Sequence, residues 1–103
     1  MAATSEAKVK ARVVKQLKEM GVYYFSPVTG GFGRSGVPDI IGCMNGKFFA
    51  IECKAGKGVT TALQDKNIEA IRSNGGFAIV VNEDNMDAVT TLLKLKLGAL
   101  NGN

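Results

Sequence analysis

No histidine occurs anywhere in the 103 residues. That absence excludes a Ser-His-Asp triad, a Cys-His pair and histidine-ligated zinc. It also excludes any hydrolase whose general base is histidine. Hydrolysis here would have to run on carboxylates, lysine and a hard metal ion. Cysteine is nearly absent too, with Cys43 and Cys53 the only two. They fall on opposite faces of the strand pair described below, several residue pairs apart, so no disulfide is expected within the chain. A reducing cytoplasm suits them. No apolar run approaches the length that spans a bilayer, so no membrane partner is expected. The first residues, M-A-A-T-S-E-A-K, lack the apolar core of an export signal, which again predicts the cytoplasm. There is no internal repeat and no low-complexity segment.

What is present centres on Val37 to Lys54, V-P-D-I-I-G-C-M-N-G-K-F-F-A-I-E-C-K. Two apolar runs flank Asn45-Gly46. Asn-Gly is the favoured centre of a two-residue hairpin turn, because both positions need positive φ. If those two residues are the loop, Met44 faces Lys47, and Asp39 falls directly opposite Glu52. Residues so opposed have Cβ atoms about 4.5–5.5 Å apart, and like charges there are destabilising. A divalent cation would compensate them, since Mg²⁺ and Mn²⁺ favour oxygen ligands. Strand alternation puts Lys54 on the same face as Glu52. Two acids and a lysine are thereby predicted to converge.

The rest of the chain reads as elements around that hairpin. Thr4 or Ser5 can cap a helix running to about Met20, with Val9, Val13, Leu17 and Met20 as its apolar stripe. Lys8, Arg12 and Lys15, with Lys10 and Lys18, lie on another side. Glu6 falls on the inward stripe, either to favour the helix dipole or to point at a metal centre. Gly21 ends the helix, and Val22 to Phe25 reads as a short strand. Ser26 to Gly36 is a glycine-rich loop carrying Arg34 and Ser35. Its Gly31, Gly33 and Gly36 fit G-x-G-x-x-G, but the loop leads into a strand rather than a helix, so no dinucleotide site is expected. After the hairpin comes a turn with Lys57. Thr60 or Thr61 then caps a second helix to about Ser73. Thr61-x-x-Gln64 fits a capping box, yet Gln64 also shares the inward face of Ile68 and Ile71, so capping and site support both stay open. Asp65, Lys66, Glu69 and Arg72 read as solvated surface. Phe77 to Val81 reads as a strand covered on both faces. Asn82 or Asp84 caps a last helix to about Leu97, with Met86, Val89 and Leu93 inward. The order α-β-β-β-α-β-α predicts an α/β domain over 1–98, a central mixed sheet flanked by helices, with 99–103 as a frayed tail.

Pro38-Asp39, then Glu52-Cys53-Lys54, resembles the motif of the PD-(D/E)xK nuclease superfamily. The wider pattern, G-x-P-D-I-I, A-I-E-C-K-A and T-x-x-Q, is most similar to the virus-type replication-repair nuclease (VRR-NUC) domain, from about Glu6 to the strand at Phe77. Archaeal Holliday-junction resolvases share much of the same pattern. The resemblance implies a restriction-endonuclease-like fold. It implies Mg²⁺ or Mn²⁺ held by Asp39, Glu52, the Cys53 backbone carbonyl and Glu6, the last directly or through water. It gives Lys54 the task of orienting water or stabilising the transition state, and makes Gln64 a support.

The implied activity is structure-specific DNA cleavage. A basic excess of +4 permits nucleic-acid binding without demanding it. Lys8, Arg12, Lys15, Arg34, Ser35 and Lys57 are the candidate DNA contacts. Members standing alone, as in phage and bacterial chains, resemble junction resolvases, so a homodimer acting on a four-way junction is expected in a bacterial or phage-infected cell. Fused members resemble flap nucleases, which keeps a flap or other branched substrate as the alternative. A DNA-binding module with a degenerate site is a further alternative, and an interaction domain without metal or DNA affinity another.

Overall fold

The backbone at Asn45 and Gly46 has φ of +54° and +76°, so both residues adopt the left-handed conformation of a two-residue turn. The computed structural model describes residues 5–28 and 33–98. The turn joins β2 (Ile40–Met44) to β3 (Lys47–Cys53), which pair antiparallel from Met44↔Lys47 to Ile40↔Ile51. β1 (Tyr23–Phe25) pairs antiparallel with the other edge of β2. β4 (Phe77–Val81) pairs parallel with β3. The sheet order is β1-β2-β3-β4 and the sheet is mixed, as expected. The parallel step from β3 to β4 needs a crossover, and α2 (Ala62–Ser73) supplies it.

Alternation along β3 decides which helix covers which face. Phe49, Ile51 and Cys53 are fully buried in one cluster with Val9, Val13 and Leu17 of α1 (Ser5–Met20) and Val89, Leu93 and Leu97 of α3 (Val89–Leu97). Ala50 and Ala78 point the other way and bury beneath Ile68 of α2. Each large side chain so buried contributes roughly 1.5–3 kcal/mol over leaving it in water. The architecture is therefore α/β, of the restriction-endonuclease-like kind.

Three expectations are corrected by the packing. Val80 is 37% exposed, so β4 is not covered on both faces. It pairs with Glu52 at the end of the sheet, on the side where Ala62 begins α2. The last helix starts later than its sequence suggests. Asp84 N–H donates to Asn82 Oδ1 (2.9 Å) and Asn82 N–H to Asn85 Oδ1 (2.8 Å), closing a side-chain turn that competes with helix. A short 3₁₀ turn, Met86–Ala88, follows before α3. Arg72 is not merely solvated, because Nη2 and Nε donate to the Ala78 carbonyl (2.8 and 3.2 Å) and tie α2 to β4. Thr4 as a cap and the tail at 99–103 lie outside the described residues.

One brace escapes the apolar pattern altogether. Gln16 is buried among valines and leucines. Its Nε2 donates to the Met86 carbonyl (2.6 Å) and its Oε1 accepts from Thr90 N–H (3.1 Å) and hydroxyl (3.2 Å). Gln16→Ala strands those groups in a dry interface. It should cost about 2 kcal/mol in a urea-unfolding titration; a loss below about 0.5 kcal/mol would show that water takes over the bonds.

Candidate active site

The two-residue turn fixes the register, and the register assembles the acidic pair. β2 and β3 pair up to Ile40↔Ile51, so the next opposed residues are Asp39 and Glu52. Asp39 Oδ2 accepts the Cys53 backbone N–H at 2.8 Å, which holds its carboxylate over the end of β3. Glu52 is buried, 2% exposed. Its Oε2 receives Lys54 Nζ at 3.3 Å and Gln64 Nε2 at 3.1 Å. Its Oε1 is buried with no hydrogen-bond partner.

A buried carboxylate with one orphaned oxygen is costly. Burial, and next the negative charge of Asp39, push the Glu52 carboxyl up from 4.5 to about 7, against the opposing pull of Lys54. The protein alone therefore does not satisfy this pair. It asks for a proton or a cation. Burial, with the Asp39 and Glu52 charges, likewise pushes the Cys53 thiol up to about 12, so its side chain is inert and only its backbone is available as a ligand.

Gln64 caps α2 and also reaches Glu52. Its backbone N–H donates to Thr61 Oγ1 (3.2 Å), and its Oε1 accepts Thr61 N–H (2.9 Å), completing the capping box. That leaves Nε2 free to reach Glu52. The cap locks the rotamer that supports the acid.

Asp39 belongs to two neighbourhoods. On one side it meets Glu52, with Lys54 and Gln64 behind. On the other it lines a hollow of about 240 Å³ with Glu6, Ala7, Lys10 and Cys53. Glu6 is thus exposed at the mouth of that hollow, one turn before the buried Val9. Lys10 was grouped in the sequence with the basic side of α1 and given no site role. It stands four residues after Glu6, hence on the same helix face, and that spacing was the available signal. Among the described residues no three acidic, histidine or cysteine side chains form a metal cage. The residues that could hold a hard cation are Asp39 and Glu52 with the Cys53 backbone carbonyl, and Glu6 shares the hollow of Asp39 and Cys53.

The expected DNA contacts divide. Lys8, Lys15 and Lys57 are exposed. Arg12 is not free, since its Nε meets Asp87 Oδ1 at 2.6 Å and ties α1 to the turn before α3. The turn carrying Lys57 is held by Gly56 N–H donating to Glu83 Oε1 (2.8 Å), a bond that also lowers the exposed Glu83 carboxyl. Arg34 is not brought to the acids. It lines a separate groove of about 330 Å³ along α2. The Ser35 carbonyl accepts a 3.4 Å bond from Asn67 Nδ2 on the same flank. Loop residues 29–32 lie outside the described residues.

A family model described as archaeal Holliday junction resolvase (hjc) matches residues 5–85. No curated protein matches the chain. Among the described residues no helix is long and apolar enough to cross a membrane.

Proposed function

The chain belongs to the archaeal Holliday junction resolvase family, a family of the PD-(D/E)xK nuclease type, and from that premise we propose that it is a Mg²⁺- or Mn²⁺-dependent endonuclease that cuts four-way DNA junctions as a homodimer. The observation that carries the reading is the unpartnered Glu52 Oε1 beside Asp39, buried at the end of β3. Asp39, Glu52 and the Cys53 carbonyl would hold the metal, with Glu6 reaching it directly or through water. When bound, the ion supplies a water of lowered pKa and charge neutralisation at the scissile phosphate.

The chain's own groups do the rest. Gln64 fixes the Glu52 carboxylate by its 3.1 Å bond. Lys54 stands 3.3 Å from the same oxygen, which supports a role for its ammonium in meeting the charge that would build on a phosphate bound at the acids. Fixed donors of this kind stabilise the phosphoryl transition state without reorganisation. Lys8 and Lys15 extend positive charge along α1 towards backbone phosphates. A four-way junction has two-fold symmetry and needs paired cuts, which suits two identical chains.

The test is cleavage of a mobile four-way junction, a 5′ flap, a splayed arm and linear duplex with Mg²⁺ or Mn²⁺. Wild type should make symmetric paired cuts in the junction, and Asp39→Ala and Lys54→Ala should make none. Preference for the flap would keep the site and overturn the substrate. Binding with no cleavage by wild type would favour a degenerate DNA-binding module.

A further inference from the structure

The hollow beside Asp39 carries both signs of charge. Glu6, Ala7 and Lys10 line it from α1, and Asp39 and Cys53 from the end of the sheet, around about 240 Å³. Lys10 is half-buried, whereas Lys8, Lys15 and Lys18 on the same helix are exposed. Among the described residues no acid lies within ion-pair distance of its ammonium. Its charge nonetheless reaches across the hollow. Burial, then Asp39 and Glu52, push the Cys53 thiol up, and Lys10 is the one charge that pulls it back down. Cys53 faces the core beneath α1, so Lys54, the next residue, stands on the other face, bonded to Glu52. The acids are therefore flanked by two ammonium groups, one from each side of the sheet.

We propose that Lys10 is a substrate-contacting residue of the nuclease site, its ammonium meeting the backbone phosphate that a cation at Asp39 and Glu52 holds, an assignment that rests on the metal-dependent reading above. The sign pattern of the hollow selects that ligand. A bare divalent cation would be drawn by Glu6 and Asp39 and repelled by Lys10. A bare phosphate would be drawn by Lys10 and repelled by the acids. A cation and a phosphate together satisfy every charged group that lines the hollow. The hollow is also several times the roughly 30 Å³ that one water occupies, so it has room for an ion and a group bound to it.

A lysine whose task was to neutralise Glu6 would use the favourable pairing of residues four apart on a helix. Lys10 has that spacing and does not make that pair, so its three donors stay available. Place separates it from the other basic residues of α1. Arg12 is spent on Asp87, and Lys8 and Lys15 are exposed outside the hollow. Cation and phosphate are then coupled, each raising the affinity for the other, and Lys10 acts on the phosphate side of that coupling.

The experiment compares the full wild-type chain with Lys10→Met, which keeps the apolar stem, and Lys10→Arg, which keeps the charge. Calorimetry follows Mn²⁺ binding to the free chain. Fluorescence anisotropy follows binding of a four-way junction in EDTA and in Ca²⁺, over a series of salt concentrations. Lys10→Met should bind Mn²⁺ at least about threefold more tightly, having lost a like charge. In Ca²⁺ it should bind the junction at least about fivefold more weakly, with a salt slope smaller by about 0.9 for each chain bound. In EDTA its junction affinity should be close to wild type. Lys10→Arg should restore both affinities. A solvated or purely structural lysine would not move the two in opposite directions. Junction affinity in Ca²⁺ unchanged by Lys10→Met, or lowered as much in EDTA, overturns the assignment, and so does Mn²⁺ binding that the variant leaves unchanged or weakens. Failure of the nuclease reading looks different: wild type then binds no Mn²⁺ and cuts no branched DNA, and both fall together. Wild type that binds Mn²⁺ and cuts, beside a Lys10→Met chain that matches it in every titration, sinks the role of Lys10 alone.

Discussion

Glu52→Gln should give a protein that no longer cuts DNA yet folds more stably than wild type at alkaline pH. The loss of cleavage should be at least about 10³-fold, the scale of removing a preorganised charged group from the reacting centre. The gain in stability follows from proton linkage. The Glu52 carboxyl titrates near 7 in the folded chain and near 4.5 when exposed. Between those values the folded state keeps a proton that the unfolded state has released, so stability falls as pH rises. Below about 4.5 the burial carries no penalty, and above about 7 it carries the whole of it. The amide cannot ionise, so the variant lacks that slope. At pH 8, without divalent ions, it should be more stable by on the order of 2 kcal/mol, which raises its thermal midpoint by roughly 5–10 °C. At pH 4 the two should melt alike. Mg²⁺ or Mn²⁺ should then raise the wild-type midpoint and leave the variant where it was. Equal midpoints at pH 8 would mean that the Glu52–Asp39 pair is already compensated within the protein.

Gly42→Ala should be the most damaging glycine-to-alanine change among the described residues. A Cβ at Gly42 would stand 2.4 Å from both Phe49 Cζ and the Tyr23 carbonyl oxygen. Gly42 pairs with Phe49 on β3 and with Tyr24 on β1. The ring of Phe49 lies over the glycine, in the space where every other residue carries a side chain. Phe49 is fully buried and cannot retreat without opening the core beneath α1 and α3. β1 cannot shift without breaking its ladder. Overpacking on this scale costs roughly 3 kcal/mol or more, a large share of the 5–15 kcal/mol typical of a whole domain. Urea unfolding measures it. A midpoint within experimental error of wild type would mean that β1, only three residues long, simply moves outward.

Legibility in the sequence followed the range of the interaction. The hairpin was readable because one dipeptide fixes its turn, and the turn fixes the register that sets Asp39 opposite Glu52. Lys54 followed by alternation. Gln64 was readable as a choice between cap and support. Only the fold shows that one amide does both, since its oxygen and nitrogen face different elements. Arg12 was readable only as a basic residue that could meet DNA, and its ion pair with Asp87 stayed hidden because that partner lies 75 residues away. The same distance in sequence hid Gln16, whose partners belong to the last helix and the turn before it. Arg34 looked close to the acids because it is five residues before Asp39, but the chain between them passes along α2. Val80 looked buried because composition reports hydrophobicity, not whether a helix is long enough to cover it.

The turn at Asn45-Gly46 has one more implication, for how such a chain can change over generations. Its side-chain amide also donates to the Leu97 and Gly98 carbonyls, at 3.1 and 2.9 Å, so the turn is fastened to the end of α3. A strand has two faces, and adding one residue exchanges them. The hairpin therefore behaves like a reading frame. One codon gained or lost at residues 45–46 would turn Glu52 towards the wrong helices, just as a slipped base garbles the message downstream. Lineages of this protein should vary freely in length in exposed loops and hardly ever at this turn.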